Sequence, residues 1–296
     1  MNEILFWGSN ENPIFVKNEI EIITKPTQFK FEKENENGIK QISSGYSGTI
    51  FLFENGKAIE YLKNSSKNPE KIQIENIQKV AIGFENEAIL TKEGNVFAKG
   101  FYINQENPNK FINISSLIKD PNDRIIQDVV SGIYSIYLLT SNQNVYGIGS
   151  NRSGQLGFDY KTLPKTEKPI LMMKNVSKIF SGSSSYSVFL LNSNQELFCC
   201  GSNSYGQLGL GESIKGTIQK LTKIQNIPKG RIIDIQCAGE HSIMMIEQKS
   251  PKRKLYSCGR RFHSGIQGDA YEFTEIKSSL FEKIIFLIFL VGLNIL

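Results

Sequence analysis

Short runs of apolar and β-branched residues recur along the chain, and each run is followed by a glycine or a polar turn. Two examples are SIYLLT at 135–140 and YSVFLL at 186–191, each followed by turn residues and then by a second apolar run. Runs of this length, joined by turns such as Asn55-Gly56, predict β-strands connected as hairpins. No segment between them has the spacing of an amphipathic helix. The pattern therefore predicts an all-β fold.

The chain also repeats itself with a period of about 50 residues. NVYGIGSNRSGQLG at 144–157 matches ELFCCGSNSYGQLG at 196–209, so that Gly149 and Gly201 lie 52 residues apart. A first type of glycine, which follows an apolar run, occurs at Gly45, Gly83, Gly132, Gly182 and Gly239. A second type ends the next hairpin at Gly8, Gly100, Gly149, Gly201 and Gly259. This spacing predicts four-stranded units arranged as the blades of a β-propeller.

The repeats predict one propeller domain over residues 1–296, with about six to seven blades. The predicted blades are about 39–77, 78–124, 125–176, 177–230 and 231–275, with a split blade made of 280–296 and 4–36. Joining the two half-repeats would close the ring and remove exposed sheet edges. The number of blades stays open. Five full units and one split unit make about six blades, so either the ring is that small or the sequence lacks one blade of seven.

The split blade depends on the apolar C-terminal run IIFLIFLVGLNIL, in which Gly292 falls one repeat step after Gly259. Two alternatives for this run stay open. The chain could stop in the middle of a repeat, or the run could attach to a membrane. The run has 13 residues, and a spanning helix needs roughly 20, so a membrane partner is the less favoured alternative.

Composition indicates an ordinary globular protein with a substantial core. The chain has 296 residues, of which 40% are hydrophobic and 21% charged, with a formal net charge of +5. That charge is small and scattered, so it does not predict nucleic-acid binding. The densest basic run, between Lys249 and Arg261, is interpreted as a solvated loop, with an acidic partner as the alternative.

Cysteine usage and the N-terminus bear on location. The four cysteines include no CxxC pair, and no histidine is spaced to complete a zinc site. The first residues lack a basic segment followed by an apolar one, so no signal peptide is predicted. These features predict a reduced, intracellular protein of the cytoplasm, the nucleus or both.

The richest glycine cluster, GSNSYGQLGLGE at 201–212, raises the question of a phosphate-binding loop. A Walker-type loop needs Gly-Lys-Ser/Thr at the start of a helix, whereas here Gly211 is followed by Glu212. The loop also has a twin one period earlier, which favours a structural role. We therefore predict no cofactor, and structural roles for the glycines of both types, for Gly154, Gly157, Gly206 and Gly209 in the twin loops, and for Gly292.

No catalytic or metal-binding constellation stands out. The only histidines are His241 and His263, and no Ser/His/Asp set or carboxylate pair can be assigned from spacing. Cys200 and Cys258 occupy a mostly apolar position before a second-type glycine, which predicts buried thiols, and a redox pair of Cys199 with Cys200 is the less favoured alternative. His241 is interpreted as structural. No catalytic residue and no metal ligand are predicted.

The two GSNxxGQLG segments, with their S-G or A-G glycines, resemble the repeats of the regulator of chromosome condensation family. The resemblance covers the chain from Ile4 to Gly292, most weakly in 9–38 and 212–230. It implies a propeller that is usually seven-bladed, sometimes followed by a further interaction domain. It also implies a protein partner, since the founding member promotes nucleotide exchange on a small GTPase.

The first functional hypothesis is a non-enzymatic scaffold that binds a protein partner on a loop face of the propeller. The longest connections, 101–124, 157–176 and 211–230, are the candidate contact segments. The alternative is a guanine-nucleotide exchange factor or another regulator of a small GTPase. A second alternative is a chromatin-associated binding protein, for which the net charge offers little. The oligomeric state is not predicted.

Overall fold

The computed structural model describes residues 4–10, 21–29, 38–62, 69–248, 253–260 and 268–277. These residues form a two-stranded antiparallel sheet of β1 (Ile4–Asn10) and β2 (Glu21–Phe29), followed by five four-stranded sheets. The first contains β3 (Ile39–Ser44), β4 (Gly48–Phe53), β5 (Ala58–Leu62) and β6 (Glu70–Lys71). The second contains β7 (Ile77–Ile82), β8 (Asn86–Thr91), β9 (Val96–Gly100) and β10 (Ile112–Asn113).

The third sheet contains β11 (Ile126–Ser131), β12 (Ser135–Thr140), β13 (Val145–Ser150) and β14 (Lys165–Met173). The fourth contains β15 (Val176–Phe180), β16 (Ser187–Asn192), β17 (Leu197–Ser202) and β18 (Thr217–Lys223). The fifth contains β19 (Arg231–Cys237), β20 (His241–Glu247), β21 (Arg253–Gly259) and β22 (Ala270–Glu275). Two short 3-10 helices, Ser115–Leu117 and Pro121–Asp123, lie between the second and third sheets.

Each four-stranded sheet is an up-and-down antiparallel meander, in which every strand pairs with its neighbour in the sequence. The first strands of successive sheets contact each other in the order β3, β7, β11, β15, β19. The all-β propeller prediction is therefore confirmed, with five four-stranded blades among the described residues. The β1–β2 pair contains Gly8, which lies opposite Ile23. Residues 280–296, including Gly292, lie outside the described residues, so closure of the ring stays a prediction.

The second strands of the first four blades are buried, and those of the second and third blades pack against a described blade on each side. Every residue of β4, β8, β12 and β16 is buried. Because both faces are covered, these strands read as continuous apolar runs and do not alternate between apolar and polar residues. The core is therefore a series of layers between blades, such as the layer that packs Leu139 of β12 with Val176 and Leu190 of the fourth blade.

Polar side chains join neighbouring blades at these layers. The amide group of Gln41 donates to the carbonyl oxygen of Val80 at 2.7 Å and accepts from the N–H of the same residue at 3.0 Å. Asn86 Nδ2 donates to Ser131 Oγ at 2.7 Å, between the second and third blades. Such bonds fix the register of one blade against the next, since a shifted blade would leave these buried groups without partners.

The meander places the connections of every blade at two opposite ends. The turns between first and second strands and the loops between third and fourth strands share one end, here called the loop end. The hairpins between second and third strands and the links from blade to blade share the other, here called the hairpin end. Among the described residues, no helix is long and apolar enough to cross a membrane.

Candidate functional site

The GSNxxGQLG loops lie at the loop end, where each is held by the side chain of its asparagine. Asn151 Nδ2 donates to the carbonyl oxygens of Phe158 and Leu163 at 2.9 and 2.8 Å, and its Oδ1 accepts from the N–H of Leu156 at 2.9 Å. Asn203 repeats this arrangement in the next blade. Both side chains are fully buried, so the asparagine of the motif acts as an internal clamp on the loop.

The glycines of these loops lie against the following blade. A Cβ atom on Gly154 would come within 2.8 Å of the carbonyl oxygen of Ile218 in β18, and one on Gly206 within 2.6 Å of the Tyr271 ring. The N–H groups of Gly154, Gly157, Gly206 and Gly209 all donate within their own loops. These amides are thus already bonded, and the contacts support the structural role proposed for the glycines over a phosphate-binding one.

The second-type glycines share one backbone conformation at the loop end. Gly149 and Gly201 have φ angles of +111° and +115°. A Cβ atom at these positions would lie 2.3 and 2.2 Å from the carbonyl oxygens of Tyr134 and Tyr186. Gly100 and Gly259 repeat this arrangement, with φ angles of +136° and +110°. The first-type glycines Gly45, Gly83, Gly132, Gly182 and Gly239 lie in the turns after the first strands.

The segments predicted to contact a partner do not form one surface. Each of the segments 101–124, 157–176 and 211–230 begins at the loop end, passes through a fourth strand (β10, β14 or β18), and finishes at the hairpin end. Lys161 and Lys215 lie in the parts at the loop end, whereas Lys168 and Lys220 lie on fourth strands. The parts at the loop end are therefore the ones that could act together in binding.

An arc of aromatic side chains crosses four blades at the loop end. We call Tyr46, Phe84, Tyr102, Tyr134 and Tyr186 the aromatic arc. The ring centroids of Tyr46 and Phe84 are 4.2 Å apart in a stacked arrangement, and those of Phe84 and Tyr134 are 5.7 Å apart. Tyr134 also lies 5.2 Å from Tyr102 and 6.3 Å from Tyr186. These spacings are those of favourable aromatic pairs.

Backbone bonds between blades hold the arc in place. The N–H of Phe84 donates to the carbonyl oxygen of Ile133 at 3.1 Å, and the N–H of Ile133 donates to that of Ser185 at 2.9 Å. Tyr46 remains 43% exposed. Phe101, whose ring centroid lies 5.3 Å from that of Tyr102, is 50% exposed. Exposed aromatic groups on a rigid support are typical of protein-binding surfaces.

Sequence reasoning missed this arc. Its signal was present, because Tyr46 and Phe84 each directly follow a first-type glycine, and Tyr134 and Tyr186 follow one within four residues. Because the number of residues between the glycine and the aromatic residue differs between repeats, the sequence alone does not show that these rings are aligned. Only the paired strands show that all four turns meet at the same end of the propeller.

Charged groups accompany the aromatic rings at the loop end. Glu85 is exposed, and burial together with the nearby Glu85 carboxylate raises the pKa of Tyr134. In the fifth blade, Arg260 Nη1 donates to both carboxylate oxygens of Glu240 at 2.9 Å and lies over the ring of Tyr205, with 5.0 Å from its guanidinium carbon to the ring centroid. The loop end thus combines carboxylates, cations and aromatic rings.

A buried ion cluster lies just below the arc, between the first and second blades. Lys99 Nζ is 2.8 Å from Glu60 Oε2 and 3.1 Å from Glu87 Oε2, and it lies 4.7 Å from the ring centroid of Phe111. Burial raises the pKa of Glu87 to about 8, against the opposing effect of Lys99. Burial lowers the pKa of Lys99, but the two carboxylates raise it by a larger amount. The net pKa is therefore raised, and the ammonium stays charged. The cluster has the chemistry of a structural ion pair.

The remaining candidate residues are buried. Cys199, Cys200, Cys237 and Cys258 are free, buried thiols. Burial raises the pKa of Cys200 and Cys258, which disfavours the reactive thiolate form. His241 is 8% exposed and pairs with Gly259. His263 lies outside the described residues, as do Lys249, Lys252 and Arg261. Within the described part of the chain, no group of three His, Cys, Asp or Glu residues could hold a metal ion.

Comparison with known proteins identifies the repeats. Residues 194–245 match the family model "Regulator of chromosome condensation (RCC1) repeat", and residues 176–207 match a second model with the same description. Residues 176–245 therefore contain RCC1 repeats. The matched segments contain the second GSNxxGQLG loop, strands β15 to β19 and most of β20, so the resemblance inferred from that motif is confirmed.

Curated relatives and a solved structure agree with this family. An RCC1 repeat-containing protein of Dictyostelium discoideum is 28% identical over 279 residues, covering 82% of this chain and 56% of that protein. Guanine nucleotide exchange factor SRM1 of Saccharomyces cerevisiae is 30% identical over 153 residues, covering 49% of this chain and 30% of that protein. The crystal structure of Prp20p from Saccharomyces cerevisiae has a TM-score of 0.74 at 18% identity, covering 94% of this chain and 73% of that one.

The chain spans only part of the length of the curated relatives it matches. It spans 20%, 12% and 53% of the lengths of the first three of them. The structural likeness at 18% identity concerns the fold. The activities of those longer proteins are therefore not carried over to this chain by similarity.

Proposed function

We propose that this RCC1-repeat chain is a non-enzymatic interaction scaffold that binds a protein partner through the loop end. The observation that carries the proposal is the aromatic arc, which joins turns of four blades into one continuous surface. Aromatic residues are enriched in protein interfaces because they bury a large area at a low cost in side-chain entropy. The blades hold these turns rigidly, so binding does not require the surface to be ordered first.

Two exposed apolar residues at opposite ends provide a matched test. Phe101 at the loop end is 50% exposed, and Ile125 at the hairpin end is 53% exposed. The variants Phe101→Ser and Ile125→Ser should both fold, as checked by urea unfolding. We expect Phe101→Ser to reduce recovery of the partners that co-purify with the full chain, and Ile125→Ser to leave it unchanged. Equal recovery with both variants would count against the loop end as the binding surface.

Regulation of a small GTPase, including guanine-nucleotide exchange, is the alternative function. It is favoured by the similarity to a relative named as a guanine nucleotide exchange factor. It is also favoured by the fold shared with Prp20p, a protein whose structure was described together with its binding to Gsp1p and histones. Such a partner would place the protein in the cytoplasm or the nucleus. An exchange factor acts by binding, so it needs a suitable surface but no catalytic triad.

A nucleotide-release assay separates the two functions. Small GTPases loaded with fluorescent GDP are mixed with the full chain, and release is followed as loss of fluorescence. A scaffold leaves the rate unchanged even where it binds, whereas an exchange factor accelerates release in proportion to its concentration. Acceleration that Phe101→Ser abolishes and Ile125→Ser retains would establish the alternative and place it at the loop end.

A further inference from the structure

The second and fifth blades place a glutamate at the same position of the loop end. Glu85 directly precedes β8, and Glu240 directly precedes β20. A Cβ atom on Gly100 would lie 2.5 Å from the Glu85 carbonyl oxygen, and one on Gly259 would lie 2.2 Å from that of Glu240. The two glutamates are therefore equivalent in their blades, and each lies beside the end of its third strand.

The residue that follows the glycine differs between these blades. In the fifth blade it is Arg260, whose N–H donates to the Glu240 carbonyl oxygen at 2.9 Å and whose guanidinium binds the Glu240 carboxylate at 2.9 Å. The same guanidinium lies over the ring of Tyr205. In the second blade the equivalent residue is Phe101. The second blade therefore has the carboxylate and an aromatic neighbour in place of the arginine.

The surroundings of Glu85 suit a cation that the chain does not supply. Among the described residues, no lysine or arginine forms an ion pair with Glu85 or lies over the rings of Phe84, Tyr102 or Tyr134. Two other rings at the loop end have a cation over them. Arg260 lies over Tyr205, and Lys215 Nζ lies 4.2 Å from the ring centroid of Tyr271. A cation held between a carboxylate and aromatic faces gains both ion-pair and cation–π stabilisation.

We propose that Glu85, with the rings of Phe84, Phe101 and Tyr134, binds an arginine side chain from a basic segment of the protein partner. The incoming guanidinium takes the place beside Glu85 that Arg260 takes beside Glu240. This inference rests on the proposed loop-end function, and it adds the chemistry of the segment that binds. The planar guanidinium suits this site better than an ammonium, because it can bind a carboxylate with two hydrogen bonds and stack on a ring at the same time.

The test is an NMR titration of the full chain, following the ring resonances of Phe84 and Tyr134. The probe is the peptide acetyl-Gly-Arg-Gly-Arg-Gly-amide, and its citrulline counterpart has nearly the same shape without the charge. We expect saturable shifts with the arginine peptide and none with the citrulline peptide. Glu85→Gln should weaken binding by about threefold or more, whereas Glu54→Gln, at an exposed position of the hairpin end, should not.

A second variant places an arginine of the chain itself beside Glu85. Phe101→Arg introduces an arginine at the position equivalent to Arg260, and it should pair with Glu85 and abolish the shifts. Ile125→Arg adds the same charge at the hairpin end and should leave them unchanged. Equal binding of the two peptides, or equal effects of Glu85→Gln and Glu54→Gln, would overturn the inference. If partner recovery still depends on Phe101 in that case, the scaffold function stands without the arginine site.

Discussion

The Nζ atom of Lys99 lies 2.8 Å from Oε2 of Glu60, across the layer between the first two blades. Both side chains are about nine-tenths buried, and Glu87 lies on the other side of the ammonium. Removing one partner of a buried ion pair leaves an uncompensated charge in a region of low dielectric constant. The charges of the cluster therefore stabilise the contact between the first and second blades beyond what its hydrogen bonds alone would contribute.

Replacement of the lysine should be strongly destabilising. We predict that Lys99→Met lowers the free energy of unfolding at pH 7 by about 3–5 kcal/mol. The control is Lys92→Met, an exposed lysine of the same blade, which should change it by less than about 0.5 kcal/mol. Urea unfolding followed by tryptophan and tyrosine fluorescence measures both. A similar, small change in both variants would show that the cluster contributes no net stabilisation.

The pH dependence of stability should identify Glu87. Burial raises its pKa to about 8 in the folded protein, from 4.5 without that environment. The folded state thus binds a proton that the unfolded state releases, so stability falls as the pH rises from about 5 to about 8. Glu87→Gln cannot lose a proton, and it should remove this part of the pH dependence. Parallel curves for the two proteins in urea titrations at several pH values would contradict the raised pKa.

Asp123 should behave in the opposite way. Its carboxylate is 3% exposed and accepts hydrogen bonds from Tyr146 Oη at 2.7 Å and from Asn144 Nδ2 at 2.8 Å. Burial raises the pKa of Asp123, but these hydrogen bonds lower it by a larger amount, so the net pKa lies below the ordinary value of 3.8. The resulting stabilisation is present above about pH 4 and is lost as the pH falls through the lower folded value.

We predict that Asp123→Asn destabilises the protein by about 1–3 kcal/mol at pH 7, because the amide cannot accept all of these bonds. The difference between the variant and the original chain should shrink below pH 4, where the original carboxylate becomes protonated. Chemical unfolding at pH 7 and pH 3 measures this change. A difference that stays constant between these pH values would exclude a role for the ionised carboxylate.

The conformation of the second-type glycines allows a matched pair of substitutions. Gly201 has φ of +115°, and a Cβ atom there would lie 2.2 Å from the Tyr186 carbonyl oxygen. Gly216 has φ of +89°, with nothing within 4 Å of its Cβ position. Gly216→Ala should cost about 1–2 kcal/mol from backbone strain alone, and Gly201→Ala should cost distinctly more. Thermal unfolding ranks the two, and an equal cost would mean that the close approach to Tyr186 is relieved by small shifts.

Much of the fold follows from the regular placement of glycines and apolar runs. Gly149 and Gly201 lie one period apart because each is the last residue but one of the third strand of a blade, where only a residue without a side chain fits. The apolar run SIYLLT predicts a strand, and the burial of both its faces explains why it does not alternate. The spacing of these residues along the sequence is enough to predict the strands, since each blade is built mainly from hairpins between neighbouring strands.

The candidate site could not be predicted in the same way. Phe84 and Tyr134 lie 50 residues apart in the sequence, and they meet only because two turns of neighbouring blades share one end. The pairing of Lys99 with Glu60 likewise depends on which blades are neighbours. Contacts between blades involve side chains at positions that vary from repeat to repeat. The repeat period therefore predicts the strands but not these contacts.

The proposal that the loop end is the binding surface is tested most directly by site-specific photo-cross-linking. The photoreactive amino acid p-benzoylphenylalanine is placed at Phe101 in one sample and at Ile125 in another, two positions with 50% and 53% exposure at opposite ends. After irradiation with the chain's cellular binding partners, mass spectrometry identifies the cross-linked proteins. Binding at the loop end predicts specific protein adducts from position 101 and none from position 125. Adducts mainly from position 125 would contradict it.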